Sequence, residues 1–198
     1  MDRFLAIRES NRIRADASGA EIPASVSLAE ALRALGRPAL GAEEASLAIR
    51  RFFSVEEERL HEIPGAGATL DALRKRGLSI ALLSNATDGD YIRRAVERFG
   101  WGGVFDPLVV SSDIGVRKPR PEAFRAVLGW WSFAPDEVAI VGDSLRHDVH
   151  GGQDVGLRTF HFTWIPNPQD PAWLGRVAPD VTAKTHPDLL RALLEAAG

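Results

Sequence analysis

Residues 138–152 read VAIVGDSLRHDVHGG, and this stretch decides the fold. An apolar, β-rich run over Val138–Gly142 is followed by Asp143 and then by a segment of helical period, Leu145–Val155. Open parallel sheets bind ligands where their strands end and the next helices begin. We therefore expect Asp143 to lie at a ligand-binding edge. Asp148, about one helical turn further along, can face the same opening.

Two carboxylates at such an edge suggest a metal site. Mg²⁺ is a hard cation that commonly takes one or two protein carboxylates and keeps several waters. Asp143 and Asp148 are the candidate ligands. The alternative is that Asp143 and Ser144 only cap the following helix, because caps of this composition are common.

The same strand-then-helix order recurs through the second half of the chain. Such alternation predicts an α/β fold with a Rossmann-like parallel sheet covered on both faces. The predicted strands are Leu78–Ser84, Leu108–Ser112, Val138–Gly142, Arg158–Phe162 and a weak fifth around Val181. The predicted helices between and after them are Asp88–Phe99, Pro121–Trp131, Leu145–Val155 and His186–Ala196.

The N-terminal part has a different pattern. Helical periodicity predicts helices over Ser25–Leu35, Glu43–Leu60 and Gly67–Arg76, and the first 62 residues carry no strand signal of comparable quality. Pro64 and Gly65 interrupt this region and allow a change of direction. We predict a helical segment over residues 1–62 and an α/β core over residues 63–198.

Two other strand ends carry groups that suit a phosphate. Ser84 and Asn85 place a hydroxyl and backbone N–H groups where a helix begins, and such a corner binds anions. Lys118 directly precedes Pro119 in the segment Val116-Arg117-Lys118-Pro119-Arg120-Pro121, before a predicted helix, and is one of three lysines beside 21 arginines. A lysine ammonium is a compact point charge, whereas an arginine guanidinium is a planar fork of N–H donors, so a lysine in such an arginine-rich chain suggests that a compact charge is required there. The alternatives are a helix cap at Ser84 and an ordinary solvated loop lysine at Lys118.

Taken in order, Ser84-Asn85, Lys118-Pro119 and the GDSLRHD block at residues 142–148 resemble the haloacid dehalogenase (HAD) superfamily, and the resemblance covers essentially the whole chain. It implies that Ser84 and Asn85 bind the phosphoryl group. Lys118 would offset negative charge during catalysis, so that Ser84 and Lys118 are the predicted catalytic residues. Asp143 and Asp148 would be associated with Mg²⁺.

The resemblance also implies the domain roles and the reaction. Residues 1–62 resemble part of a helical cap, the segment that selects the substrate, with Pro64 and Gly65 in a hinge. The acid pair of the GDSLRHD block resembles that of the family's phosphatases, whereas the dehalogenase branch does not use magnesium and lacks this pair. Magnesium-dependent hydrolysis of a small phosphate monoester is the expected activity, and a small phosphorylated metabolite is the expected partner.

One block of the family is not found. The family's nucleophile lies at the end of a central strand in an Asp-x-Asp motif, and the only such spacing here, Asp88-Gly89-Asp90, follows the Ser84-Asn85 block and begins a predicted helix. Phe4–Ile7 is the only upstream candidate for the strand. Because the neighbouring strands keep apolar sequences, we expect a truncated reading of a longer protein, continued upstream of Met1, and no turnover by the chain as given. The alternative is a non-catalytic phosphate-binding or protein-interaction domain.

Composition restricts the other function classes. The formal net charge is -3 and there is no basic block, so nucleic acid is an unexpected partner. The chain contains no cysteine, which excludes disulfides and thiolate metal ligands and favours a cytoplasmic location. No apolar run approaches the ~20 residues needed to span a bilayer. The sequence gives no prediction of oligomeric state.

Overall fold

A computed structural model describes residues 2–197. Its elements alternate in the order of an α/β protein. The helices are α1 (Asp2–Ser18), α2 (Ala24–Ala34), α3 (Ala42–Glu57), α4 (Ala66–Lys75), α5 (Gly89–Arg98), α6 (Ser111–Ile114), α7 (Pro121–Leu128), α8 (Gly151–Gln153) and α9 (His186–Ala196). The strands are β1 (Leu82–Ser84), β2 (Leu108–Val110), β3 (Ala139–Gly142), β4 (Arg158–Phe162) and β5 (Val181–Ala183).

The chain divides into two compact units. The first comprises the chain up to His61 together with Ser84–Gly102 and Val110–Arg117. The second comprises Glu62–Leu83, Gly103–Val109 and the chain from Lys118 onward. The units are discontinuous in sequence, so the predicted division at residues 62 and 63 stays a prediction.

The strands form two separate sheets. One contains β1 and β2, and the other has the parallel order β3-β4-β5, with Val141 paired with Phe160 and Phe160 paired with Val181. The prediction of an α/β fold with parallel strands is therefore confirmed. Among residues 2–197 no strand joins the two sheets, and Phe4–Ile7 lies within α1 rather than in a strand.

The core of the second unit lies between β4, β5 and α9. Phe160, Ala183 and Leu189 are at most 4% exposed and form its centre. α9 adds Ala192, Leu193 and Ala196 at spacings of three, four and seven residues from Leu189, which is the spacing of one helix face. Thr185 starts this helix because its hydroxyl accepts a hydrogen bond from the backbone N–H of Asp188 at 3.3 Å.

The first unit is helical around a smaller core. α1 packs on α2, α2 on α3 and α3 on α5. Phe53 of α3 is 1% exposed and stacks on Tyr91 of α5 with 4.8 Å between the ring centroids. Asn11 of α1 is buried because its amide donates to Ser27 at 3.0 Å and to Glu30 at 2.8 Å, which satisfies the buried polar group.

Several predicted boundaries were wrong. β1 starts at Leu82 instead of Leu78, because its partner strand β2 is only three residues long. β2 ends at Val110, since Ser111 begins a helical turn. The helix predicted to reach Trp131 ends at Leu128, before Gly129.

β3 has an apolar sequence but is partly exposed. Val141 is 39% exposed. The physical reason is that β3 is an edge strand, paired only with β4 among the described strands.

Candidate active site

The GDSLRHD block begins at the carboxyl end of β3, as the sequence predicted. Ser144 is 3% exposed, and its hydroxyl accepts a hydrogen bond from the backbone N–H of His147 at 3.1 Å. Leu145–His150 then forms a π-helical stretch before the short helix α8, where the sequence predicted one α-helix over Leu145–Val155. The cause is local, because the N–H groups of both Asp148 and Val149 bond to the carbonyl oxygen of Ser144.

Gly142 permits a close approach of Asp148 to the end of β3. A Cβ atom at Gly142 would lie 2.1 Å from Cγ of Asp148, a distance that real side chains do not adopt. The backbone N–H of Ser144 donates to Oδ2 of Asp148 at 3.1 Å. The glycine and the turn after it thus hold Asp148, which is 4% exposed.

Lys118 completes this arrangement. Its Nζ atom lies 2.6 Å from Oδ1 of Asp148, and the two side chains are only 12% and 5% exposed. At this burial the attraction between the two charges is weakly screened by solvent. The structure therefore brings together Lys118 and Asp148, two residues that the sequence proposed for one site.

Asp143 is more open and is held by a segment that the sequence reasoning missed. Asn167 donates to Oδ2 of Asp143 at 3.0 Å. Nε2 of His161 lies 3.2 Å from the backbone carbonyl oxygen of Asp143 and 2.9 Å from Oδ2 of Asp170. Both neighbours are acceptors, so Nε2 carries the proton. Asp170 also accepts from the backbone N–H of Leu145 at 2.7 Å, which ties the segment after β4 to the start of the π-helical stretch.

The acids at the end of β3 offer the oxygen donors that Mg²⁺ prefers. Asp143 and Asp148 offer carboxylate oxygens, and each carboxylate has more lone pairs than the hydrogen bonds described above use. Within residues 2–197 no cluster of three His, Cys, Asp or Glu side chains forms a metal site. Two carboxylates are the number that Mg²⁺ commonly takes from a protein, so the residues fit the ion as a two-ligand set.

Ser84 and Asn85 lie in the first unit, in the turn between β1 and α5. The backbone N–H of Ala86 donates to the hydroxyl of Ser111 at 2.9 Å, and this hydroxyl donates in turn to Glu21 at 2.5 Å. These hydrogen bonds connect the turn to Ser111, the residue that follows β2. The residues after it, Asp88-Gly89-Asp90, begin α5, as the sequence predicted for this spacing.

A cavity of about 430 Å³ lies within the first unit. Ser84 and Asn85 are in its wall. The other wall residues are Leu5, Arg8, Glu9, Arg12, Glu21, Phe53, Ala86, Thr87, Tyr91, Ile92 and Arg117. Arg117 is 7% exposed and lies 3.2 Å from Asp16 and 3.6 Å from Glu21. The sequence alone assigned no role to Arg117, because an ion pair between residues 16 and 117 leaves no local pattern in the sequence.

The predicted site residues are thus found in two places. Lys118, Asp143 and Asp148 belong to the second unit, and Ser84 and Asn85 belong to the first. Their assignment as catalytic, substrate-binding and metal-binding residues stays a prediction. No helix within Asp2–Ala197 has both the length and the apolar character required to cross a bilayer.

Comparison with known proteins agrees with this architecture. Residues 6–156 match the family model of the haloacid dehalogenase-like hydrolases. The chain is 34% identical to a phosphoserine phosphatase of Thermus thermophilus over 134 residues, which are 66% of this chain and 52% of that protein. It is also 34% identical to a glyceraldehyde 3-phosphate phosphatase of Pyrococcus furiosus over 107 residues, 53% of this chain and 43% of that protein. The chain thus spans about half the length of these curated relatives.

A solved structure shows the same fold. The structure of a 2-haloacid dehalogenase from Pseudomonas syringae pv. tomato superposes with a TM-score of 0.70 and 23% identity. The match covers 98% of this chain and 81% of that one.

Proposed function

The chain belongs to the haloacid dehalogenase-like hydrolase family, and from this premise we propose that it serves the magnesium-dependent hydrolysis of a small phosphate monoester. Relatives named as phosphatases, which are 34% identical, support the reaction class. A small phosphorylated metabolite is the proposed substrate. A cytoplasmic location remains a proposal of the same kind.

The observation that carries this proposal is the buried contact between Lys118 and Asp148, 2.6 Å long, at the end of β3. Phosphoryl transfer requires mainly positioning and the stabilisation of negative charge. Lys118 supplies a fixed positive charge that offsets charge on the phosphoryl group. Ser84 and Asn85 donate hydrogen bonds to its oxygens. Asp143 and Asp148 would hold Mg²⁺, and the bound ion would supply positive charge that polarises phosphoryl oxygens.

These residues position a phosphate but do not attack it. Of the five described strands, only β3 is directly followed by an aspartate, Asp143, and this residue is assigned to the metal. This observation favours a second candidate function, a non-catalytic phosphate-binding domain. The two candidates share the binding site and differ in whether a nucleophilic carboxylate acts on the bound ester.

Binding of inorganic phosphate tests the shared part. We expect phosphate to bind in the presence of Mg²⁺, as followed by ³¹P NMR, and Lys118→Ala to weaken binding roughly 10- to 100-fold, since a hydrogen bond to a charged group contributes about 1.5–3 kcal/mol. Lys184→Ala is the matched control, because Lys184 is exposed. Equal affinities in wild type and Lys118→Ala would refute the proposed site.

The magnesium dependence and the turnover are tested separately. Asp143→Asn should abolish the effect of Mg²⁺ on phosphate binding, while Lys184→Ala should retain it. The 198-residue chain is expected to bind p-nitrophenyl phosphate without hydrolysing it. A magnesium-dependent rate that Lys118→Ala abolishes would show that a nucleophile lies within these residues and would remove the non-catalytic candidate.

A further inference from the structure

The cavity of the first unit has one wall formed by a single face of α1. Leu5, Arg8 and Arg12 are separated by three and four residues, so they project from the same side of the helix. Another part of the wall is the turn that contains Ser84 and Asn85. The groups proposed to bind a phosphoryl oxygen therefore share one cavity with arginine side chains.

Acidic side chains in the wall are already engaged. Both carboxylate oxygens of Glu9 accept from Arg12, at 2.6 and 2.9 Å. Glu21 accepts from the hydroxyl of Ser111 at 2.5 Å and from the backbone N–H of Ile22 at 3.0 Å. Arg8, Arg12 and Arg117 outnumber these two acids in the wall, although Glu56 and Asp16, which are outside the wall, pair with Arg8 and Arg117.

Arg8 is the best placed of the three arginines to meet a ligand. Arg12 is held by its two-point bond to Glu9, and Arg117 lies between two acids. Within residues 2–197, Arg8 directs Nη1 to Glu56 at 3.2 Å, and its guanidinium carbon lies 5.1 Å from the ring centre of Phe53. A guanidinium has five N–H donors in a planar fork, so this contact leaves donors for a planar anion.

Two wall residues carry buried polar atoms without a partner among residues 2–197. Oγ1 of Thr87 and Nε of Arg117 are buried and have no hydrogen-bond partner within the described part of the chain. Buried donors left in this state are destabilising, and most native proteins avoid them. Atoms as enclosed as these do not face the open cavity, so a ligand would be bound by Arg8 and by the turn of Ser84 and Asn85.

The rest of the wall limits the size and polarity of the ligand. Phe53 and Tyr91 stack with a 26° angle between their rings, and Leu5 and Ile92 add apolar surface. A cavity of about 430 Å³ is within the range for small-molecule sites. Such a cavity suits a short carbon skeleton with charged groups at its ends.

We propose that this cavity selects phosphate esters that carry a carboxylate, which Arg8 binds while Ser84 and Asn85 hold the phosphoryl group. The inference rests on the proposed function, because it assumes that Ser84 and Asn85 bind phosphate. The substrate class is that of short phosphorylated carboxylic acids, as distinct from phosphorylated neutral alcohols or sugars.

Two non-hydrolysable probes test the selectivity without turnover. Phosphonoacetate carries a phosphonate and a carboxylate, whereas ethylphosphonate has a similar size and lacks the carboxylate. Calorimetric titration in the presence of Mg²⁺ should give about tenfold or tighter binding of phosphonoacetate, the value of one charge-assisted contact. Arg8→Gln should bring this ratio close to one and change the affinity for ethylphosphonate less than about twofold.

The controls separate this inference from the proposed function. Arg50→Gln removes an exposed arginine of α3 and should keep the preference. Arg8→Lys keeps the charge without the fork and should give an intermediate ratio, which guards against a folding defect in Arg8→Gln. If wild type binds both probes equally while Lys118→Ala weakens both, the carboxylate inference is wrong and the proposed function stands. If neither probe binds, both are wrong, and a preference that survives Arg8→Gln also overturns the role of Arg8.

Discussion

Replacing Gly142 by alanine should damage the candidate site from inside the fold. The new Cβ would lie 2.1 Å from Cγ and Oδ2 of Asp148 and 2.5 Å from its Cβ. Carbon atoms normally pack about 3.5–4.0 Å apart, so Asp148 would have to move by roughly 1 Å or more. Such a movement takes the carboxylate away from Lys118 and from the backbone N–H of Ser144.

The expected loss follows from these two effects. Overpacking costs about 1–3 kcal/mol, and the weakened charged hydrogen bond costs about 1.5–3 kcal/mol. We expect the free energy of unfolding to fall by about 2.5–6 kcal/mol, and the Tm by roughly 5–24 °C for a chain of this size. The conformational freedom of glycine is not the cause, because Gly142 is not among the glycines with positive φ.

Thermal unfolding followed by circular dichroism measures this change. Gly41→Ala is the control, because a Cβ there would meet only Oε2 of Glu44 at 3.7 Å. Its cost should stay within about 1 kcal/mol, the difference between glycine and alanine before a helix. If Gly142→Ala unfolds at the wild-type temperature and keeps its affinity for phosphate, Asp148 does not lie against the end of β3, and the geometry of the site is wrong.

Two further predictions concern pH. Burial lowers the pKa of His186 below 6.5, against the opposing influence of Glu62. The unfolded chain therefore binds more protons than the folded chain just below pH 6.5, and stability should fall as the pH drops through this range. Tm values between about pH 8 and 5 should show this decrease in wild type and a smaller one in His186→Phe; parallel curves would contradict the assignment. At Asp180, hydrogen bonds from the backbone N–H and the hydroxyl of Thr159 lower the pKa below 3.8. The resulting stability is present above pH 3.8 and is lost as the pH falls through the folded pKa, so Asp180→Asn should cost about 1 kcal/mol near neutral pH and progressively less below pH 3.8 in chemical denaturation. A cost that stayed constant down to low pH would show that the charge of Asp180 is not involved.

Two elements were predicted from the local sequence with their correct bounds. β4 and α9 have the predicted bounds, Arg158–Phe162 and His186–Ala196. In α9 a threonine cap, a proline in the first turn and apolar residues on one face all agree. The π-helical stretch was not predicted, because it depends on two N–H groups sharing the carbonyl oxygen of Ser144.

The sequence also located part of the site but not the residues that support it. Lys118 and Asp148 belong to recognisable sequence motifs, and the structure places the two side chains in contact. Asn167 and Asp170 follow β4 in a proline-containing segment without any motif, and only the fold brings them to Asp143 and Leu145. Contacts between distant parts of the chain leave no periodic signal in the sequence, and so the residues that hold a site are harder to predict than those that form it.

The two acids of the GDSLRHD block have different physical roles, although their motif treats them as a pair. Asp148 is 4% exposed and is held by Lys118, by the N–H of Ser144 and by the absence of a side chain at Gly142. Replacing the Asp148 carboxylate by a neutral group would leave the buried charge of Lys118 without this carboxylate. An uncompensated buried charge is strongly destabilising. Asp143 is exposed, and the hydrogen bond from Asn167 fixes the orientation of its carboxylate without burying it. Loss of charge at Asp143 should therefore weaken cation binding with little effect on folding. Loss of charge at Asp148 should weaken both cation binding and folding. Of the two acids, only Asp143 can thus be replaced to test metal binding without changing the stability of the fold.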